Sequence, residues 1–351
     1  MVKLYLNDNS NVMIDLRSDT ITRPGEAMLE AMMNAVVGDD VFDEDPTVNA
    51  LQEKAAAMFG MEAGLFCPSG TMTNQIAIRI QTQPQHEVIC DKRSHVYNYE
   101  GGGMASNSMV SVCLVDGDRG RMLPQHITEN IRPDDIHAPI TSLVCVENTV
   151  NKGGGSYYSM EQLKAIHAVC RANKLNLHLD GARIFNALVE TKQTCLDIGQ
   201  YFDTISICLS KGLGAPVGSL LLSSAGNIKK ARRIRKVFGG AMRQAGYLAA
   251  AGIYALDHNI ERLKEDHRRA TALGKMLDQH QNVEYVLPVD TNIVIFRLRG
   301  DLNAHRFVTE LSKAGILSVP FGPKDVRFVT HLDYDDDMLD QTEQVLKSFQ
   351  L

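Results

Sequence analysis

No stretch of this chain stays apolar over the length that a membrane span requires. Nor does it carry a surplus of positive charge. Its 36 Lys and Arg stand against 42 Asp and Glu, a formal net charge of −6, so no global field draws it to nucleic acid or to an anionic membrane. The seven cysteines, at 67, 90, 113, 145, 170, 195 and 208, are scattered and never form Cys-x-x-Cys. With no His-Glu-x-x-His either, a zinc site is not expected and no metal is assigned. An odd count of small core hydrophobes suits a reducing compartment. The first residues, Met1–Asp8, lack a continuous apolar core and a small-residue cleavage site, so no secretory signal is read and a cytoplasmic protein is expected. Internal repeats, low-complexity segments and long linkers are absent as well.

What remains is 351 residues, 44% hydrophobic and 22% charged, enough chain for a large core and two domains. Helical periodicity marks 25–37 and 46–59, the second opening with Pro46 and closing before Gly60. Strands then alternate with helices. The strands fall at 87–91, 109–115, 141–147, 175–180, 204–209 and 217–223, and the helices at 71–82, 93–100, 124–131, 159–173 and 183–190. This is the rhythm of an α/β fold with a mainly parallel sheet covered on both faces. A helical tract over 241–280 leads into a different order, with strands at 283–287, 292–298 and 326–330. The expected division is residues 1–258 and a smaller α+β domain, 259–351.

Two strand ends carry the chemistry. The run Ile205-Ser206-Ile207-Cys208-Leu209 stops at Ser210-Lys211-Gly212, and Leu177-His178-Leu179 stops at Asp180-Gly181. A strand-end lysine ordinarily snorkels to solvent, but ligands of α/β sheets sit outside the carboxyl ends of the strands, where both groups fall. An amine to hold a carbonyl and an acid to hold a pyridinium nitrogen are the pair that pyridoxal 5'-phosphate requires. Pro68-Ser69-Gly70-Thr71 opens a helix. Ser69 or Thr71 there reads either as a plain N-cap or, with the free N–H groups of the first turn, as a phosphate anchor. No Gly-Lys-Ser/Thr follows, so this is not a Walker loop.

Other residues keep two readings. His95, just after a strand, is a helix-start surface histidine or an imidazole that stacks on a ring and relays a proton. His137, in a Pro-flanked loop, is a weaker candidate for the same work. Arg183 is a fork for a substrate carboxylate or an ion-pair partner of Asp180. Arg327, an isolated cation in an apolar strand, requires a protein acid or a ligand. The acidic run Asp39–Asp45 has no EF-hand spacing and reads as a solvated loop. The basic run Lys229–Lys236 lacks interleaved aromatics and reads as a helix face meeting another subunit rather than nucleic acid.

Taken together, Ile14-Asp15-Leu16-Arg17-Ser18-Asp19-Thr20, Pro68-Ser69-Gly70-Thr71-Met72, Leu179-Asp180-Gly181-Ala182-Arg183-Ile184-Phe185-Asn186, Cys208-Leu209-Ser210-Lys211-Gly212-Leu213, Gly239-Gly240-Ala241-Met242-Arg243-Gln244-Ala245 and Arg327-Phe328-Val329-Thr330-His331 resemble the low-specificity L-threonine aldolases. These are pyridoxal-phosphate enzymes of the aspartate-aminotransferase fold (fold type I). The resemblance implies retro-aldol cleavage of L-threonine or L-allo-threonine to glycine and acetaldehyde. By position it makes Lys211 the Schiff-base lysine and Asp180 the partner of the pyridine nitrogen, with Ser69, Gly70 and Thr71 cradling the phosphate. His95 stacks over the ring and His137 stands near the substrate side chain. Ser18, Arg183 and Arg327 hold the substrate carboxylate. Lys236 and Arg243 lie near the cofactor or a neighbouring subunit's site, within a homotetramer built as a dimer of dimers. A β-eliminating lyase or an amino-acid racemase on the same anchors is the alternative. Two departures stand out: Phe42-Asp43 where the family has Tyr-Gly, and Val150 where it commonly has histidine.

Overall fold

The computed structural model describes residues 13–349 and 351; the Met1–Asp8 stretch read for a leader lies outside them. In chain order the strands are β1 (Ile14–Asp15), β2 (Ala63–Cys67), β3 (His86–Asp91), β4 (Ser111–Val115), β5 (Ile140–Glu147), β6 (Asn176–Gly181), β7 (Thr204–Cys208), β8 (Ser219–Ser223), β9 (Val283–Val286), β10 (Ile293–Leu298), β11 (Ile316–Leu317), β12 (Val319–Pro320) and β13 (Asp325–Val329). The central sheet has the order β2-β8-β7-β6-β5-β3-β4. Its strands are nearly continuous apolar runs, β7 and β8 buried at every position, as helices on both faces demand.

All neighbours from β7 to β4 run parallel, whereas β8 is antiparallel to both β7 and β2. The cause is length. A parallel return needs a crossover of about a dozen residues or more, and the connection 209–218 is too short to supply one. The chain therefore doubles back at the tip of β7, and the doubled segment carries Lys211.

A second, antiparallel sheet has the order β12-β13-β10-β9, its core built on Phe296, Phe307 and Phe328, with Phe296 edge-on to both others. The N-terminal β1 pairs in parallel with β11, and Ile14 and Leu16 pack into this second core. The helical tract predicted over 241–280 is two helices, Gly246–His258 and Leu263–Asp278. It breaks at Asn259, whose amide donates to the carbonyl of Leu213 at 2.8 Å. The second of these helices places Leu263 in the large core and Leu273 and Leu277 in the small one, so it clamps the two together.

Candidate active site

Register sets the first part of the site. Glu147, the last residue of β5, stands beside Asp180 near the end of β6, and paired side chains of adjacent parallel strands share a face. Both are buried. Asn74, on the helix Gly70–Gln81, covers that face, and its Nδ2 donates to Asp180 Oδ2 and to Glu100 Oε1, each at 2.9 Å. Glu100 also accepts from Gln75 Nε2 at 2.6 Å and lies 2.9 Å from His95 Nδ1. The main-chain N–H of His95 donates to Glu147 Oε2 at 2.8 Å. Burial, helped by the charge of Asp180, pushes the Glu147 carboxyl up. Burial alone would depress His95, but its bond to Glu100 and the charges of Asp180, Glu100 and Glu147 raise it above the ordinary histidine value. His95, Glu100 and Asp180 hold their polar atoms within 4.8 Å of one another. Both oxygens of each acid already accept N–H groups, so the set is a hydrogen-bond network rather than an open cation cage.

The second part lies at the tip of β7. A Cβ on Gly70 would stand 2.5 Å from Cys208 Sγ, so only glycine lets this helix start against the strand end. Ser69 caps the helix, its Oγ accepting from the Met72 N–H at 3.2 Å, while Thr71 is exposed in the first turn. The remaining first-turn N–H groups make this end suited to an anion. Lys211 follows on the β7–β8 connection, partly buried, and its charge helps to hold Asp19 ionised.

Asp19 belongs to the third part. It is fully buried and takes the fork of Arg183, Nε to Oδ2 at 2.7 Å and Nη2 to Oδ1 at 2.6 Å. Burial would raise its carboxyl, but Arg183 and then Lys211 outweigh it and drive it well below the usual range. Arg183 therefore pairs with Asp19 and not with Asp180. Arg327, on β13, gives Nη1 to Asn151 Oδ1 at 2.8 Å and Nη2 to the Arg17 carbonyl at 2.9 Å. Its Nε is buried without a partner, and it forms no ion pair among the described residues. Burial and the repulsion of Arg183 push it down to about 10. Ser18 sits next to that Arg17 carbonyl, its Oγ accepting from Thr20.

Two predicted site residues are not brought to this cluster within the chain. His137 is exposed in the loop before β5, whereas the cluster lies after β5. Eight strand residues (Ile140–Glu147) put roughly 20 Å or more between them. Arg243 is exposed and pairs with Asp39 at 2.8 Å, over the ring of Phe42. Nor is the acidic run a solvated loop. Asp40 and Arg235 form a buried pair at 2.7 Å, Asp43 meets Arg232, and Asp45 accepts from the N–H of Gly246 at 2.8 Å. The acidic loop and the basic helix Ala225–Val237 are each other's partners.

The sequence pattern of the beta-eliminating lyase family matches residues 15–300. The chain belongs to that family. It is 45% identical over 338 residues, 96% of this chain and 99% of the other, to the low specificity L-threonine aldolase of Escherichia coli (strain K12). It is 39% identical to a probable low-specificity L-threonine aldolase 2 of Arabidopsis thaliana, over 92% of this chain and 93% of that one. The solved threonine aldolase of Leishmania major shares the fold, with a TM-score of 0.81 at 21% identity, covering 95% of this chain and 98% of that one. The resemblance read from the motifs is thereby shown: within the beta-eliminating lyases, this chain groups with the low-specificity threonine aldolases.

Beta-eliminating lyases of this group take pyridoxal 5'-phosphate, and the residues present fit it. Asp180 is a buried carboxylate held by neutral donors alone, Asn74 and the Ala182 N–H, which suits a protonated ring nitrogen. A glycine-opened helix end and a lysine converge on the tip of the adjoining strand. The functional residues that sequence reasoning passed over are Asn74, Glu100, Glu147 and Asp19. Asp19 lay inside a quoted motif. The others, an amide and two acids in otherwise ordinary surroundings, gave no signal.

Proposed function

We propose that this lyase cleaves L-threonine and L-allo-threonine between Cα and Cβ to give glycine and acetaldehyde, with pyridoxal 5'-phosphate as its cofactor. The observation that carries the reading is a buried acid and a lysine at the ends of adjacent parallel strands, in a chain matching threonine aldolases over nearly its whole length. When bound, the cofactor supplies the electron sink for the cleaved bond. Lys211 would hold its carbonyl carbon and Asp180 its ring nitrogen. Ser69, Gly70 and Thr71 would hold its phosphate, and His95 would cover the ring.

Arg327 finds only neutral acceptors within the protein and keeps Nε unpartnered, which supports it as the main ligand of the substrate carboxylate. Arg183, already neutralised by Asp19, and Ser18 would complete that grip and set which bond at Cα is broken. Glu100 already accepts from Asn74 and Gln75, so in its bond with His95 Nδ1 that nitrogen is assigned as the donor. Nε2 is then free to accept the proton of the substrate β-hydroxyl. With His137 outside the cluster within one chain, His95 is the preferred base.

Two finer readings are proposed with it. Exposed Leu29, Met33, Val36 and Phe42 support an oligomer, read as a homotetramer, in which Lys236 and Arg243 would act near a neighbouring site; light scattering of the purified protein tests this. Seven free cysteines, six of them buried, support a cytoplasmic place in threonine breakdown and glycine supply. Among the described residues no helix is long and apolar enough to cross a membrane. The activity is tested by incubating the cofactor-loaded protein with each threonine diastereomer and measuring acetaldehyde and glycine. 2-Oxobutyrate with ammonia, or a racemised substrate, in their place would mark a β-eliminating lyase or a racemase and overturn the reading.

A further inference from the structure

The acid cluster continues away from the cleft in one buried line of hydrogen bonds. Asn74 Oδ1 lies 3.1 Å from His178 Nε2, His178 Nδ1 lies 2.7 Å from Thr204 Oγ1, and Gln81 Nε2 donates to Thr204 Oγ1 at 2.7 Å and to the Ala77 carbonyl at 3.0 Å. Asn74, His178 and Thr204 are each 2% exposed or less. Both ends of the line are pure acceptors, the carboxylates of Asp180 and Glu100 at one end and the carbonyl of Ala77 at the other. Acceptors at both ends leave a single consistent assignment of protons. Asn74 must turn its NH₂ to the two acids, so its oxygen faces His178 and requires Nε2–H. Gln81 must turn its NH₂ to Ala77 and Thr204, so the one proton of Thr204 goes to His178 Nδ1.

We infer that Thr204 and His178 are positioning residues for the cofactor-binding acid: Thr204 fixes the Nε2–H form of His178, which fixes Asn74, which divides its two amide protons between Asp180 and Glu100. The inference rests on the proposed cofactor reading. Thr204 is the first residue of β7, at the opposite end of the strand from the Lys211 connection, so it acts without touching cofactor or substrate. Burial pushes His178 down to about 4, which keeps it neutral at working pH, as a one-proton link must be. The two acids draw the NH₂ of Asn74 from one side and His178 Nε2–H holds its oxygen from the other; if the link failed, Asn74 would be held from one side only, and its bonds to both acids would loosen together.

The test compares Thr204→Val, nearly the same shape without the hydroxyl, with Thr204→Ser, which keeps it. In the holoenzyme, solid-state ¹⁵N spectra of histidine-labelled protein, with His178 assigned by its loss in His178→Gln, should show the neutral Nε2–H form in the parent and in Thr204→Ser. In Thr204→Val that form should be mixed or lost. The dissociation constant of pyridoxal 5'-phosphate, followed by fluorescence, should rise about five- to tenfold in Thr204→Val, the equivalent of one net hydrogen bond. Thr204→Ser should restore it. Wild-type cofactor affinity in Thr204→Val, or a His178 that is Nδ1–H or doubly protonated at neutral pH in the parent, overturns the inference. A parent that binds the cofactor yet leaves threonine intact would overturn the proposed activity and leave this inference standing.

Discussion

At the tips of β5 and β6 three buried acids, Glu100, Glu147 and Asp180, face a single imidazole, with the Glu147 carboxyl pushed up by burial and the charge of Asp180. Where the N-terminal segment meets the small sheet, two guanidiniums, Arg183 and Arg327, lie near one buried carboxylate, Asp19, which pairs with Arg183 alone. The two regions adjoin, and their excess charges are opposite. A buried ion without a counter-ion is costly, so each region is built for a ligand group of the other sign: a cationic ring nitrogen at the acid end, a substrate carboxylate at the basic end. Charge thus fixes which way round a ligand sits before any shape is considered.

That contrast can be broken or sharpened in order of effect. Lys211, between the two ends, has the largest: Lys211→Ala should abolish acetaldehyde release and the visible absorbance that develops when the cofactor is added. Turnover by that variant would remove the lysine from the mechanism. Next come the ends themselves. Asp180→Asn should lower kcat about ten- to hundredfold, the worth of one charged hydrogen bond confined to the transition state. Arg327→Ala should instead raise KM for threonine by a similar factor, with cofactor absorbance intact. Matching losses in the same kinetic constant would dissolve the division into two ends.

A subtler effect concerns His95. Its folded value is raised, so the stability it lends is fully present below the ordinary histidine value of about 6.5 and is lost as pH rises through the folded value. A base must be neutral, so activity should climb over that same upward crossing. Glu100→Gln removes the charged hydrogen-bond partner that does most to raise it and should move the acid limb of kcat/KM to lower pH. An unmoved limb would detach His95 from the chemistry. Smallest of all, Asp39→Asn, which weakens the half-buried partner of the exposed Arg243, should shift stability by no more than about 1 kcal/mol in a denaturant melt.

Much of this site was readable in one dimension because strand ends are. The runs before Asp180 and Lys211 announce buried strands, and parallel strands deliver their last residues to one edge. The same rule, applied to His137, gives the opposite answer: it precedes its predicted strand, while Asp180, Lys211 and His95 follow theirs. Other features depend on pairings that only the fold creates. The Asp19–Arg183 bond spans most of the large sheet's sequence, and Asn74 is one amide on a helix rich in polar residues. The acidic and basic runs were each visible, but their mutual neutralisation across nearly 200 residues of chain was not. The strand β2, Ala63–Cys67, was too short to separate from any apolar loop.

The first strand also has a consequence for how the protein is made. The N–H of Leu16 donates to the carbonyl of Leu317, the N–H of Val329 donates to the carbonyl of Leu16, and His331 reaches the carbonyl of Asp15, 316 positions away, so β1 is held by residues that follow it by most of the sequence. Contacts so distant in sequence form late and slowly. The strands of the large sheet all precede residue 224, so that sheet can form first, but the grip around Asp19 and Arg327 must wait until residues 316–331 have been made. Incomplete translation products would therefore carry the lysine and the acid without the means to choose a substrate.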